Sequence, residues 1–164
     1  MPGGSEFWFT VRLAKGKPSP GAPPTRPAHR AFQRKHRVLV VEDNPVNRRM
    51  LVSMLQKMGL ESEWAGNGQE ALDRLNRAQF DIILMDLQMP VMGGVQAARR
   101  IRALLERHPA RAVPIIAVSA HAFPEDKLRC LQAGMNDHVT KPIQIQKLED
   151  ALRRWLERSA ALTT

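Results

Sequence analysis

Three short apolar runs in this chain end abruptly in residues able to do chemistry. Val38-Leu39-Val40-Val41 runs into Glu42-Asp43, the run Ile82-Ile83-Leu84-Met85 into Asp86, and Ile115-Ile116-Ala117-Val118 into Ser119. A fourth segment, Asp137-His138-Val139-Thr140, runs into Lys141-Pro142. Clustered carboxylates repel one another unless a cation or a shared proton relieves them. An all-oxygen site open to water suits Mg2+, a hard cation that retains several waters. A nearby Lys supplies a compact positive charge for phosphate oxygens, and a hydroxyl donates to the same oxygens. A carboxylate, a divalent cation, a Lys and a hydroxyl together fit phosphoryl transfer onto the carboxylate.

These residues work together only if the fold brings the segment ends to one place. Strand-like runs are expected at Arg37–Val41, Leu60–Ala65, Phe80–Met85, Val113–Val118 and Asp137–Thr140. Helical patterns alternate with them. Asn44-Pro45 reads as a capped helix start, followed by Val46, Met50, Leu51, Met54, Leu55 and Met58 at helical spacing and closed by Gly59. The methionines at 50, 54 and 58 are expected in the core. The second helix spans Gly68 to Ala78, with Ala71, Leu72 and Leu75 inward. A third carries Val95, Ala98, Ile101, Leu104 and Leu105. A fourth spans Pro124 to Ala133, and the last carries Ile145, Leu148, Leu152, Trp155 and Leu156. Alternation of this kind argues for a parallel sheet covered on both faces. The chain is too short for a closed eightfold barrel. The expected fold is therefore an open, doubly wound (βα)5 α/β sheet, flavodoxin-like, with strand order 2-1-3-4-5. Ligands in such sheets bind beyond the carboxyl ends of the strands, where order reverses. That places Glu42, Asp43 and Asp86 in one pocket.

Composition narrows the remaining possibilities. The 164 residues suit one domain with a sizeable core, and 43% apolar with 25% charged residues is a globular balance. A single Cys, Cys130, excludes an internal disulfide and any Cys-based zinc site, and it reads as a small buried residue. No run approaches the length of a membrane span. The net charge of +9 points at first to nucleic acid. However, residues 1–37 carry +7 of it, and they also hold six of the twelve prolines. Residues 16–36 therefore read as a basic, proline-rich linker, and no nucleic-acid partner is expected.

The segments Val38-Leu39-Val40-Val41-Glu42-Asp43-Asn44, Ile83-Leu84-Met85-Asp86-Leu87-Gln88-Met89-Pro90, Ala117-Val118-Ser119-Ala120 and Val139-Thr140-Lys141-Pro142, in that order and spacing, resemble the receiver domain of two-component response regulators. The resemblance covers residues 37–158, with 159–164 as a tail. It implies Asp86 as the phosphoacceptor. Asp43 directly, and Glu42 directly or through water, would hold Mg2+ together with Asp86 and the backbone carbonyl of Gln88. Ser119 and Lys141 would meet the phosphoryl group, with Ala120 and Pro142 as neighbours and a cis peptide before Pro142. His138 occupies the place where the family usually has Tyr or Phe, the aromatic that turns inward on activation, so its movement is expected to depend on protonation. Gly93 replaces a frequent Asp ahead of the third helix.

Met89-Pro90-Val91-Met92-Gly93-Gly94 and Cys130-Leu131-Gln132-Ala133-Gly134-Met135 are similar in style to receivers of hybrid histidine kinases. Within residues 1–15, Gly3 to Leu13 resembles the closing strand of a histidine-kinase ATP-binding domain. The resemblance thus implies the C-terminal part of a hybrid kinase, cytoplasmic, at the inner end of a membrane-bound sensor in the intact protein, without direct membrane contact. It implies a phosphohistidine of a kinase or of a histidine phosphotransfer protein as partner. The chain would assist its own phosphorylation and dephosphorylation without kinase activity. The alternative is a docking module of the same fold that is never phosphorylated. Taken singly, Ser119 reads as a helix cap and Lys141 as a surface charge; the set gives them their meaning. His121 and His138 show no zinc-ligand spacing. A flavin site is disfavoured, because acids rather than a hydroxyl-rich loop follow the first strand.

Overall fold

The computed structural model describes residues 32, 34–106, 113–120 and 123–161. Five parallel strands, β1 (Arg37–Val41), β2 (Glu61–Ala65), β3 (Ile82–Asp86), β4 (Ile115–Ser119) and β5 (Asp137–Thr140), form one sheet in the order β2-β1-β3-β4-β5. The connecting helices are α1 (Pro45–Lys57), α2 (Gly68–Arg77), α3 (Gly94–Glu106), α4 (Pro124–Gln132) and α5 (Ile145–Ala161). The expected fold class and strand order are both found. β3 and β4 start later than their apolar runs, because Phe80 and Val113 are buried without pairing in the sheet.

Alternating strand residues supply two cores, as the two-residue period requires. Val38, Val40, Ile82, Leu84, Ile116 and Val118 face α1 and α5. Leu39, Val41, Ile83, Met85, Ile115 and Ala117 face the side covered by α2, α3 and α4. β3 and β4 are buried along their whole length, which explains their continuous apolar sequence.

α1 begins as expected. The Asn44 side chain accepts from the N–H groups of Val46 and Asn47, and Pro45 occupies the first turn. Its buried face differs from the expectation. Leu51, Leu55 and Met58 are buried, while Met54 is only partly covered, and Met50 and Val46 are 38% and 71% exposed. Adjacent helical positions lie about 100° apart, so a stripe through Leu51 and Leu55 turns Val46 and Met50 toward solvent. Of the three methionines, Met58 is core, Met54 packs against the core from its edge, and Met50 lies outside it.

Ahead of β1, Phe32 packs on the α1–α5 side. Its N–H donates to Met58 O at 3.3 Å, and the Arg153 guanidinium lies 4.5 Å from its ring centroid. Contacts with the domain thus begin inside the segment read as linker. The expected ATP-binding-domain remnant and most of the linker lie outside the described residues, as does His121. α5 continues to Ala161, into the segment read as tail.

Candidate phosphoryl-acceptor site

Register converts the segment ends into a cluster. Val41 pairs with Met85, so Glu42 and Asp86 stand one step beyond on neighbouring strands. Asp86 pairs with Val118, and Ser119 with Thr140. The Lys141 N–H donates to Ser119 O at 2.7 Å and carries the chain over the same end of the sheet. The Lys141–Pro142 peptide is cis, as the resemblance implied.

Asp86 is 5% exposed and Glu42 only 1%, whereas Asp43 faces solvent. One ligand oxygen from each lies within 4.8 Å of the others. Lys141 Nζ donates to Asp86 Oδ2 at 2.6 Å and lies 2.9 Å from Glu42 Oε2. The second contact is an ion pair rather than a directed hydrogen bond, since Oε2 accepts none. Burial alone would lower the Lys141 pKa; the close contacts and charges of Asp86 and Glu42 together outweigh it and hold the pKa above the ordinary lysine value. Gln88 N–H donates to Asp86 Oδ1 at 3.2 Å. Ser119 Oγ lies 2.6 Å from His138 Nε2. Leu87, Gln88, Val95, Ser119, Ala120, Asp126 and Arg129 line a cleft of about 160 Å3 beside the cluster.

The residues fit a divalent cation. Three carboxyl groups, Glu42, Asp43 and Asp86, gather around one ammonium, Lys141. Glu42 Oε2 is shielded from water and accepts no hydrogen bond, and all the donors are hard oxygens. Glu42, Asp43 and Asp86 would hold such a cation.

The structure brings together Glu42, Asp43, Asp86, Gln88, Ser119, Lys141 and His138, with Ala120 at the cleft and Pro142 following Lys141. Sequence reasoning missed the residues that support them. Asn47 Nδ2 and Asn44 N–H donate to Glu42 Oε1 at 3.2 and 3.3 Å. Arg48 donates to Glu42 O at 3.3 Å. Gly94 packs so closely under the end of β3 that a Cβ there would lie 2.2 Å from Asp86 O. Only the doubled glycine, Gly93-Gly94, hinted at such an approach.

Comparison with known proteins agrees with this geometry. The family model for the response regulator receiver domain matches residues 38–153. The hybrid signal transduction histidine kinase K of Dictyostelium discoideum is 36% identical over 160 residues, covering 94% of this chain and 13% of that protein. The autoinducer 2 sensor kinase/phosphatase LuxQ of Vibrio vulnificus is 39% identical over 150 residues, covering 91% of the chain and 17% of that protein. The chain thus spans less than a fifth of the length of these relatives. Among solved structures, the receiver domain of sensor histidine kinase PA1611 from Pseudomonas aeruginosa, with magnesium coordinated in its active site cleft, is 40% identical. Its TM-score is 0.68, over 76% of this chain and 99% of that one. The receiver domain of Ssk1 from Saccharomyces cerevisiae, solved with the phosphotransfer protein Ypd1, is similar at 35% identity and a TM-score of 0.71, over 74% and 88% of the two chains. With its sheet order, its acidic pocket and the match over residues 38–153, the chain belongs to the response regulator receiver domain family.

Proposed function

We propose that the chain accepts a phosphoryl group from a phosphohistidine onto Asp86 and switches its partner-binding surface in response. The observation that carries this reading is Asp86 buried at the end of β3, with Lys141 Nζ 2.6 Å from one carboxylate oxygen and Gln88 N–H on the other. In the transfer, an Asp86 oxygen attacks phosphorus, the donor's P–N bond breaks, and an acyl phosphate forms. Lys141 pairs with the incoming phosphoryl oxygens, and Ser119 donates to one of them. Glu42, Asp43, Asp86 and the Gln88 carbonyl would hold Mg2+, which would supply charge neutralisation at the phosphoryl oxygens.

The hybrid kinases that align over more than nine-tenths of this chain support the reading that it is part of such a kinase, and we assign it to the C-terminal part. There the donor is the parent kinase or a histidine phosphotransfer protein, and the location is the cytoplasmic end of a membrane-bound sensor. Among the described residues, no helix is long and apolar enough to cross a membrane.

Incubation with acetyl phosphate and Mg2+ tests the assignment. Wild type is expected to form an acid-stable, alkali-labile phosphoprotein, and Asp86→Asn to form none. Equal labelling of the two would overturn the choice of residue. Absence of labelling in both, with no response to beryllofluoride, would favour the docking-module alternative.

A further inference from the structure

His138 Nε2 and Ser119 Oγ lie 2.6 Å apart, so a single proton sits between them. Either the hydroxyl donates to a neutral ring nitrogen, or a ring N–H donates to the hydroxyl oxygen. The two arrangements differ in where the only proton of Ser119 points. In the first it is spent on the imidazole. In the second the oxygen accepts from the ring and its proton points to a different acceptor.

We propose that His138 is a positioning residue: as an N–H donor to Ser119 Oγ, it turns the Ser119 proton toward a phosphoryl oxygen on Asp86. This rests on the phosphoacceptor reading and adds regulation to it. A phenyl ring at this place would fill space without supplying the N–H. The backbone on which the ring sits is pinned, since His138 N–H donates to Asp137 Oδ1 at 2.8 Å.

A consequence follows for protons. A charged imidazole carries N–H on both nitrogens and can only donate, whereas a neutral one must first adopt the right tautomer. A proton on His138 and a phosphoryl group on Asp86 therefore favour each other, and linkage makes the effect reciprocal. Among the described residues, the charged and titratable groups that line the cleft of about 180 Å3 beside the ring are Lys127 and Cys130 from α4, Arg154 from α5, and Asp137 on its own strand. Ser119 meets the ring from β4. The Asp137 carboxylate already accepts from Arg154 and from Trp155 Nε1. Trp155 lines the same cleft, so its fluorescence should report movement of the ring.

The test uses the whole chain with beryllofluoride and Mg2+, between about pH 5 and 8, the range in which histidine titrates. Affinity is read by tryptophan fluorescence and the His138 tautomer by ring-nitrogen NMR shifts, for wild type, His138→Phe and His138→Gln. Relative to the Phe variant, wild-type affinity is expected to gain about fivefold or more toward acid pH, the lower end of typical coupling. The Gln variant, whose amide donates without titrating, is expected to keep the acid-side affinity and lose the pH dependence. In the wild-type complex Nε2 is expected to carry a proton. Parallel pH profiles for wild type and His138→Phe, or a bare Nε2 in the complex, would overturn the role of His138 alone. A wild type that does not respond to beryllofluoride, or that responds no differently from Asp86→Asn, would remove the phosphoacceptor reading and this inference with it.

Discussion

Lys141 holds together two buried carboxylates that would otherwise repel, and this has a definite sign in pH. Its pKa is raised in the fold by Asp86 and Glu42 against the opposing effect of burial. A group with a raised folded pKa contributes stability that is complete below its unfolded pKa and disappears as pH rises through the folded one. In metal-free protein, the urea midpoint should fall as pH rises beyond the ordinary lysine value. Lys141→Met should be less stable at neutral pH and should lose that alkaline dependence; an unchanged alkaline slope in the variant would count against the linkage. Mg2+ acts on the same charges from outside. It should raise the melting temperature of wild type, since a ligand of the folded state stabilises it by mass action. Asp43→Asn, at the exposed carboxylate, should lose most of that increase, as read by calorimetry with and without EDTA. The residue types and their order were enough to name these groups. Asn47 and Arg48, which hold Glu42, were not visible in advance, because an Asn or Arg in the first turn of a helix has many possible partners.

At the scale of elements, helix ends and close approaches place the site. Asn44 Oδ1 accepts from Val46 N–H at 2.9 Å and Asn47 N–H at 3.3 Å. Asn44→Ala should cost about 1 kcal/mol by urea unfolding. It should also loosen Glu42, whose Oε1 accepts from Asn44 N–H and Asn47 Nδ2. Gly94 matters in a different way. Its N–H donates to Leu87 O at 3.0 Å, and a methyl group would collide with the backbone of Asp86 and Leu87. Gly94→Ala should therefore weaken Mg2+ binding as well as stability, whereas a purely local helix effect would leave the Mg2+ titration unchanged. Helical spacing located α1 correctly but misjudged its buried face. Periodicity selects a stripe only to within one neighbouring position, and packing against β1 and β3 made the choice of Leu51 and Leu55 over Val46 and Met50.

At the scale of the molecule, distant segments are tied together by a side chain that no motif announced. Arg102 on α3 donates to Gly134 O at 2.8 Å, Val113 O at 2.8 Å and Asn136 Oδ1 at 2.7 Å. Asn136 Oδ1 also accepts from Ile115 N–H at 2.9 Å. Burial lowers the Arg102 pKa, as expected for a cation held by neutral acceptors. This clamp joins α3, the start of β4 and the turn into β5. Arg102→Met, which keeps much of the stem, should cost about 1.5–3 kcal/mol in chemical denaturation. A loss within experimental error would show that water replaces the clamp.

The sequence alone determined the alternation of five strands with five helices, and with it a parallel sheet whose polar residues gather at one end. Local propensity and period carry that information. It also named Glu42, Asp43, Asp86, Ser119 and Lys141, because each directly follows an apolar run or a short strand whose end the topology places. Tertiary structure alone decided how those residues meet. The 2.6 Å contact of Lys141 with Asp86 joins residues 55 positions apart, and that of His138 with Ser119 joins residues 19 apart. Such contacts depend on strand register and side-chain direction, which arise only when neighbouring strands pair and both faces of the sheet are packed.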